Sequence, residues 1–191
     1  MGTCVGVVAV QGDVAEHARA SAAALGGDIE TRAIRSAGEI PRCDGVIIPG
    51  GESTTISRLI HETGIADELR DHVAAGKPML ATCAGLIVTS RDAQDERIEP
   101  LGLLDVTIDR NAYGGQRESF EAQMRVAGFE DPFRGVFIRA PRVAALGDVE
   151  VLATYDGEPV AIRDGPVVGA SFHPELTGDP RFHRLALSRT R

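Results

Sequence analysis

Short apolar, β-branched runs alternate with helix-forming stretches through the first half of the chain, and few folds accept that alternation. Residues 5–10 (VGVVAV) form the first such run. Gln11-Gly12 follows, then Asp13 with Glu16 three residues on, the pattern of a capping box at a helix start. The Ala-rich segment to Leu25 reads as helix and ends at Gly26-Gly27. Residues 29–34 read as a second strand and residues 45–48 (GVII) as a third, buried one. PGGES comes next, then helix through Leu59 and a further helix over about 65–75. Lys77-Pro78 leads into a strand at 79–82. Strands alternating with helices predict a parallel sheet covered on both faces.

The second half changes character. Residues 101–110, 119–126, 135–139 and 149–172 are short strand-like runs, and Asp156-Gly157 and Asp164-Gly165 are hairpin turn signals. They predict an antiparallel extension of the sheet, closed by a helix over about 179–188. The fold class expected is α/β: a three-layer sandwich around a mostly parallel central sheet, with residues 1–191 forming one domain. A length of 191 residues is enough for one substantial core and short for two.

Charge and cysteine usage narrow the function. The net charge of −8 offers no basic field for nucleic acid or an anionic membrane. No apolar stretch approaches the roughly 20 residues that span a bilayer, and no charged leader precedes the first strand, so a cytoplasmic protein is expected. Cys4, Cys43 and Cys83 are an odd number without a C-x-x-C pair, which points away from a disulfide framework or zinc ribbon. Of 20 basic residues only Lys77 is lysine, a bias that suits a GC-rich genome.

Residues 77–90 read KPMLATCAGLIVTS, with Cys83 between a short apolar run and Ala84-Gly85. A nucleophile on such a strand-to-helix turn stands clear of its neighbours. The helix start would favour its thiolate and present N–H groups to a developing oxyanion. Alone the feature is weak, because free cysteines are most often small buried hydrophobes. A thiol nucleophile also needs a base and a group to orient it. His173 and Glu175, in GASFHPEL, supply both types. Pro174 biases His173 toward extended backbone, where residues i and i+2 share a side. His17, His61, His72 and His183 lie in polar, helix-like stretches and are expected to be solvated. Paired glycines in PGGESTT, residues 49–55, allow a sharp turn that aims N–H groups at a ligand, or simply a turn with Ser53 or Thr54 capping the next helix. No G-K-[ST] follows, so a phosphate loop is disfavoured. Dispersed histidines suggest no metal site.

Six ordered stretches carry a likeness: VVAVQGDVAEH, IIPGGESTTISRLI, GKPMLATCAGLI, LGLLDVTIDRNAYGGQRESFEA, FRGVFIRAP and GASFHPEL. Through them the chain resembles the class I (triad) glutamine amidotransferases and, more narrowly, the glutaminase subunits of pyridoxal 5′-phosphate synthase. The resemblance implies hydrolysis of L-glutamine by a triad of Cys83, His173 and Glu175, with backbone N–H groups of Gly51 and Ala84 as oxyanion hole. It implies a glutamine pocket of Gly51, Glu52, Ser53, Arg110, Ile138 and Arg139, with one of the two arginines on the α-carboxylate. It implies a partner, a (β/α)₈-barrel synthase in a large hetero-oligomer that receives the ammonia, faced by Gln11, Gly12 and Asp13. No cofactor of the subunit's own is implied. One position departs from the family pattern: Ala81 stands where the elbow commonly has Gly, and tolerance is expected. A glutaminase serving another synthase, a cysteine hydrolase on a similar sheet and an inactive regulatory subunit are the competing readings.

Overall fold

The structure, a computed structural model, describes residues 3–26, 29–110 and 119–188. The Asn111-to-Gln116 part of the RNAYGGQ motif lies outside them. Its main sheet holds β1 (Thr3–Val8), β2 (Ile29–Ile34), β3 (Gly45–Ile48), β4 (Met79–Thr82), β10 (Glu150–Tyr155), β11 (Glu158–Asp164) and β12 (Val167–Ala170), in the order β10-β11-β12-β4-β3-β1-β2. From β12 to β2 every pairing is parallel; β10 and β11 add on antiparallel.

The period of two in these strands sends side chains into two cores. Val5, Val7, Ile47 and Leu80 face one; Cys4, Val8, Val46, Ile48 and Met79 face the other. The second is covered by α2 (Ser53–Glu62), α3 (Ile65–Ala74) and α4 (Ala84–Thr89), whose Ile56, Ile60, Ile65, Leu69, Leu86 and Val88 are all buried. The first lies beneath α1 (Val14–Leu25) and α5 (Arg181–Leu187). There Phe172 meets Phe182 edge-on at 5.0 Å and Phe133 at 5.9 Å. Burying each such ring contributes on the order of 2–3 kcal/mol, and Phe172 thereby fixes the chain immediately before His173.

The antiparallel extension is smaller than the sequence predicts. Only β10 and β11 join the main sheet. β6 (Leu104–Asp109) pairs instead with β5 (Ser90–Asp92) and β9 (Arg142–Leu146), and β7 (Ser119–Met124) pairs with β8 (Phe133–Ile138) as a separate ribbon. The Asp156-Gly157 hairpin turn is present, with φ of 52° and 80° as a type I′ turn requires.

Two readings of helix starts need correction. Asp13 precedes α1 but makes no side-chain cap; its carboxylate lies 3.5 Å from His173 Nδ1 instead. Neither Ser53 nor Thr54 caps α2. Glu52 does, accepting from the Thr55 N–H at 2.8 Å and from the Thr54 hydroxyl.

Candidate active site

In the strand order 2-1-3-4, connections leave β1 and β3 in opposite directions, and a crevice opens beyond their carboxyl ends. Gln11-Gly12-Asp13 leaves near the end of β1, the Pro49–Gly51 loop leaves β3, Cys83 leaves β4 and His173 lies just past β12. Segments far apart in sequence thus meet at one edge of the sheet.

Cys83 sits at φ 49° and ψ −106°, a conformation that non-glycine residues rarely adopt. Its N–H donates to the Ala170 carbonyl at 2.8 Å, which ties the elbow to β12. The turn can be this tight because Gly85 follows: a Cβ there would lie 2.2 Å from the Ile48 carbonyl oxygen. Ala81 is buried within regular β4, opposite Ile48 and Gly169, where the backbone asks for no glycine.

His173 is held by its N–H, which donates to the Val136 carbonyl of β8 at 2.8 Å. Its Nδ1 lies 2.7 Å from Glu175 Oε1. The pairing expected from the sequence is present, but not through extended chain: Pro174–Leu176 is a 3-10 turn, and its curvature returns the carboxylate to the imidazole. Burial works against a charged His173, yet hydrogen bonds to Cys83 and Glu175, together with the charges they carry, raise its pKa to about 10. Glu175 is moved upward, chiefly by burial, with the bond from His173 opposing. Asp13, His173 and Glu175 also bring ligand atoms within 4.8 Å of one another, a grouping the dispersed histidines of the sequence did not suggest. A cation there would compete with the His173–Glu175 bond.

Gly50 is a site residue the sequence reading passed over. A Cβ on it would lie 2.5 Å from His173 Cε1 and 3.4 Å from Cys83 Cβ. Gly12 in turn lets the Gly50 carbonyl approach, since its own Cβ would fall 1.9 Å from that oxygen. Gly51 has φ 147°, open to glycine, and lies beside Gln11 Oε1, which accepts the Glu52 N–H at 2.8 Å. Ala84 opens α4 directly after Cys83.

Around this loop the residues expected to form the glutamine pocket converge unevenly. Burial opposes the charge of Glu52, but bonds from Thr54 and Thr55 bring its carboxyl down to about 2. Arg110 Nη2 pairs with Glu52 at 2.8 Å, while Nη1 pairs with Asp95, also at 2.8 Å. Ser53 is buried. The Ile138 carbonyl lies 3.9 Å from Cys83 Sγ, and Arg139, exposed and at φ 41°, follows it.

Three of the histidines expected in solvent are buried: His17, His72 and His183. The helical stripes Val14, His17, Ser21, Ala24 and Phe182, His183, Ala186 run inward, and that spacing was the available signal. Burial lowers His17 well below its usual range, with the His183 and His173 charges adding, and lowers His183 to about 4. An unfolded chain protonates these rings near pH 6.5 while the native one keeps them neutral. The unfolded state therefore binds more protons below pH 6.5, and stability is lost as pH falls from there toward about 4. The slope expected is up to about 1.4 kcal/mol per pH unit for each ring. Thermal unfolding between pH 7 and 5, above most carboxylates, should show a falling midpoint; a flat one would contradict the neutral assignment.

Comparison with known proteins bears on these features. The profile of the SNO glutamine amidotransferase family matches residues 7–190. The pyridoxal 5′-phosphate synthase subunit PdxT of Halorubrum lacusprofundi is 61% identical over 185 residues, covering 95% of this chain and 94% of that one. The subunit of the same name from Halobacterium salinarum is 62% identical, covering 95% and 91%. A crystal structure described as a glutamine amidotransferase superposes with a TM-score of 0.87 at 45% identity, over 96% of each chain. PurLQS from Thermotoga maritima shares the fold, at a TM-score of 0.69 and 18% identity over 96% of this chain and 97% of that one.

Proposed function

Since this chain belongs to the SNO glutamine amidotransferase family, we propose that it is the glutamine-hydrolysing subunit of a pyridoxal 5′-phosphate synthase, with Cys83, His173 and Glu175 as its triad. Its relatives carry that subunit's name. The observation that carries the residue assignment is the convergence of a strained thiol elbow with a buried His173–Glu175 pair at one sheet edge.

The Cys83 thiolate attacks the carboxamide carbon of glutamine, and negative charge moves to the oxygen. Backbone N–H groups of Gly51 and Ala84 donate hydrogen bonds to that oxyanion. His173, charged at neutral pH with its pKa near 10, gives its proton to the departing nitrogen, which leaves as ammonia. The glutamyl thioester remains. Neutral His173 then takes a proton from water, whose oxygen attacks the thioester, and glutamate leaves as the C–S bond breaks and the Cys83 thiolate re-forms beside charged His173. Glu175 holds the imidazole and balances its charge throughout.

Gly51, Glu52, Ser53, Arg110, Ile138 and Arg139 line the glutamine pocket. Arg110, already bridging two carboxylates, stiffens Glu52 and could take a third only by releasing one. The chain acts as one amidotransferase domain in a cytoplasmic complex, and a (β/α)₈-barrel synthase takes up the ammonia. Among the described residues no helix is long and apolar enough to cross a membrane. Gln11 and Gly12 are exposed yet bonded to or packed on the 50–52 loop. A partner pressing on them would therefore act on the oxyanion hole.

The test is release of glutamate and ammonia from L-glutamine with and without the cognate synthase. Release that rises with the synthase supports both roles; none under either condition refutes them. Gly50→Ala should lower turnover by about 100-fold, since the added methyl displaces His173 from Cys83. Gly50 is not at positive φ, so folding should survive, and unchanged turnover would disprove the close fit.

A further inference from the structure

Behind the triad lies a buried chain of polar groups that the mechanism above does not use. Glu175 has two oxygens. Oε1 is occupied by His173, while Oε2 is buried and without a regular hydrogen bond. His17 Nε2 lies 3.4 Å from Oε2, both side chains being fully buried. The same nitrogen lies 3.1 Å from Thr82 Oγ1, at the end of the strand that leads into Cys83. The other nitrogen, His17 Nδ1, lies 2.9 Å from His183 Nε2, and His183 Nδ1 has no partner.

Two proton placements satisfy two neutral rings. In one, His17 carries its proton on Nδ1 and donates to His183. A lone pair then faces the Glu175 carboxylate, and His183 Nδ1–H is left as a buried orphan donor. In the other, His183 Nε2–H donates to His17 Nδ1, and His17 Nε2–H is directed at Thr82 Oγ1 with Glu175 Oε2 beside it at 3.4 Å. The second removes the repulsion and leaves only an orphan acceptor, the less costly defect.

We propose that His17 is a positioning residue of the amidotransferase site, its Nε2–H serving as second donor to the Glu175 carboxylate and its tautomer set by His183. The activity part of this inference rests on the glutaminase reading. α1 supplies His17, α5 His183 and β4 Thr82, so the two helices and the strand lock the carboxylate from behind. The titratable groups around Glu175 are His173 and Asp13 beside it, Cys83 beyond His173, and His17 with His183 behind. His17 is the neutral donor among them. Without it the carboxylate takes up a proton at higher pH and drifts from the imidazole.

In the complex with the synthase, His17→Leu should lower kcat by about 10- to 100-fold, the usual cost of losing an orienting partner. KM for glutamine should stay within about twofold, because no substrate contact is lost. The acid limb of the pH profile should move up by about one unit. His17→Gln, whose amide N–H can reach the same oxygen, should recover most of the activity. A His17→Leu enzyme with the wild-type pH profile, or a Gln variant no better than Leu, would overturn the proposal. Nitrogen-15 spectra of histidine-labelled wild-type protein give a second reading: Nε2–H on His17 is expected, and Nδ1–H refutes it. If wild type hydrolyses no glutamine, the glutaminase reading fails while these spectra still decide the network.

Discussion

Cys83→Ala is expected to lower glutamine hydrolysis by the synthase complex at least about ten-thousandfold, the scale seen when a covalent nucleophile is removed. No other thiol can replace it: the remaining cysteines, Cys4 and Cys43, lie together elsewhere with their sulfurs 3.9 Å apart, and burial pushes the Cys43 thiol up to about 12. The variant should fold normally. The elbow is tied by its backbone to Ala170 and made possible by Gly85, and neither depends on sulfur. Loss of activity with an unchanged thermal midpoint and unchanged assembly with the synthase would assign the thiol. More than about a tenth of the activity remaining would remove Cys83 from the covalent role and leave it a buried thiol at a turn.

How far the sequence disclosed this site depended on whether the signal was local. The parallel core was legible because its inner strands are short, buried, mostly apolar runs between turn residues, and the bounds of β3 and β4 agree with that pattern; edge strand β2, IETRAI, was legible by its bounds though half of it is polar. The side sheets were not. β9 buries only Val143, and its exposed residues 144–146 show no alternation; which strand a short run joins is decided by distant neighbours. In the site, His-Pro-Glu was legible as a pair, though its geometry was not, because a 3-10 turn and an extended chain can bring i and i+2 together alike. Gly50 looked like one of two turn glycines, and only the packed structure distinguishes it by contact with His173. The buried histidines were misread from the polar residues flanking them. Their periodicity pointed inward, but a histidine on an inward stripe has a cost unless something pairs it, and His17 and His183, sequence neighbours of nothing relevant, pair with each other.

Glu175→Gln is expected to reduce turnover by about a thousand- to ten-thousandfold, although it changes one atom and no volume. An amide has one acceptor and one donor end, and both positions of Glu175 call for an acceptor. If the amide oxygen faces His17 Nε2–H, its NH₂ faces His173 Nδ1. That fixes the proton on His173 Nε2 and removes the lone pair the thiol needs. If the amide is reversed, NH₂ meets His17 Nε2–H, and relief requires both His17 and His183 to exchange tautomers in a dry interior. Either way His173 loses the carboxylate that helps hold its pKa near 10. Alkylation of Cys83 by iodoacetamide should then need higher pH. Stability should change too, with a definite sign. A folded pKa above the unfolded value contributes stability that is full below pH 6.5 and lost as pH rises through about 10. Glu175→Gln should flatten that alkaline loss. The decisive comparison is the double variant with His17→Leu. If His17 acts only through residue 175, then once Glu175 is an amide it can do no more than choose which way that amide faces, and removing it cannot add a second full loss. The double variant should then be no more than about threefold worse than Glu175→Gln alone. Losses that multiply would mean that the two residues support the site separately.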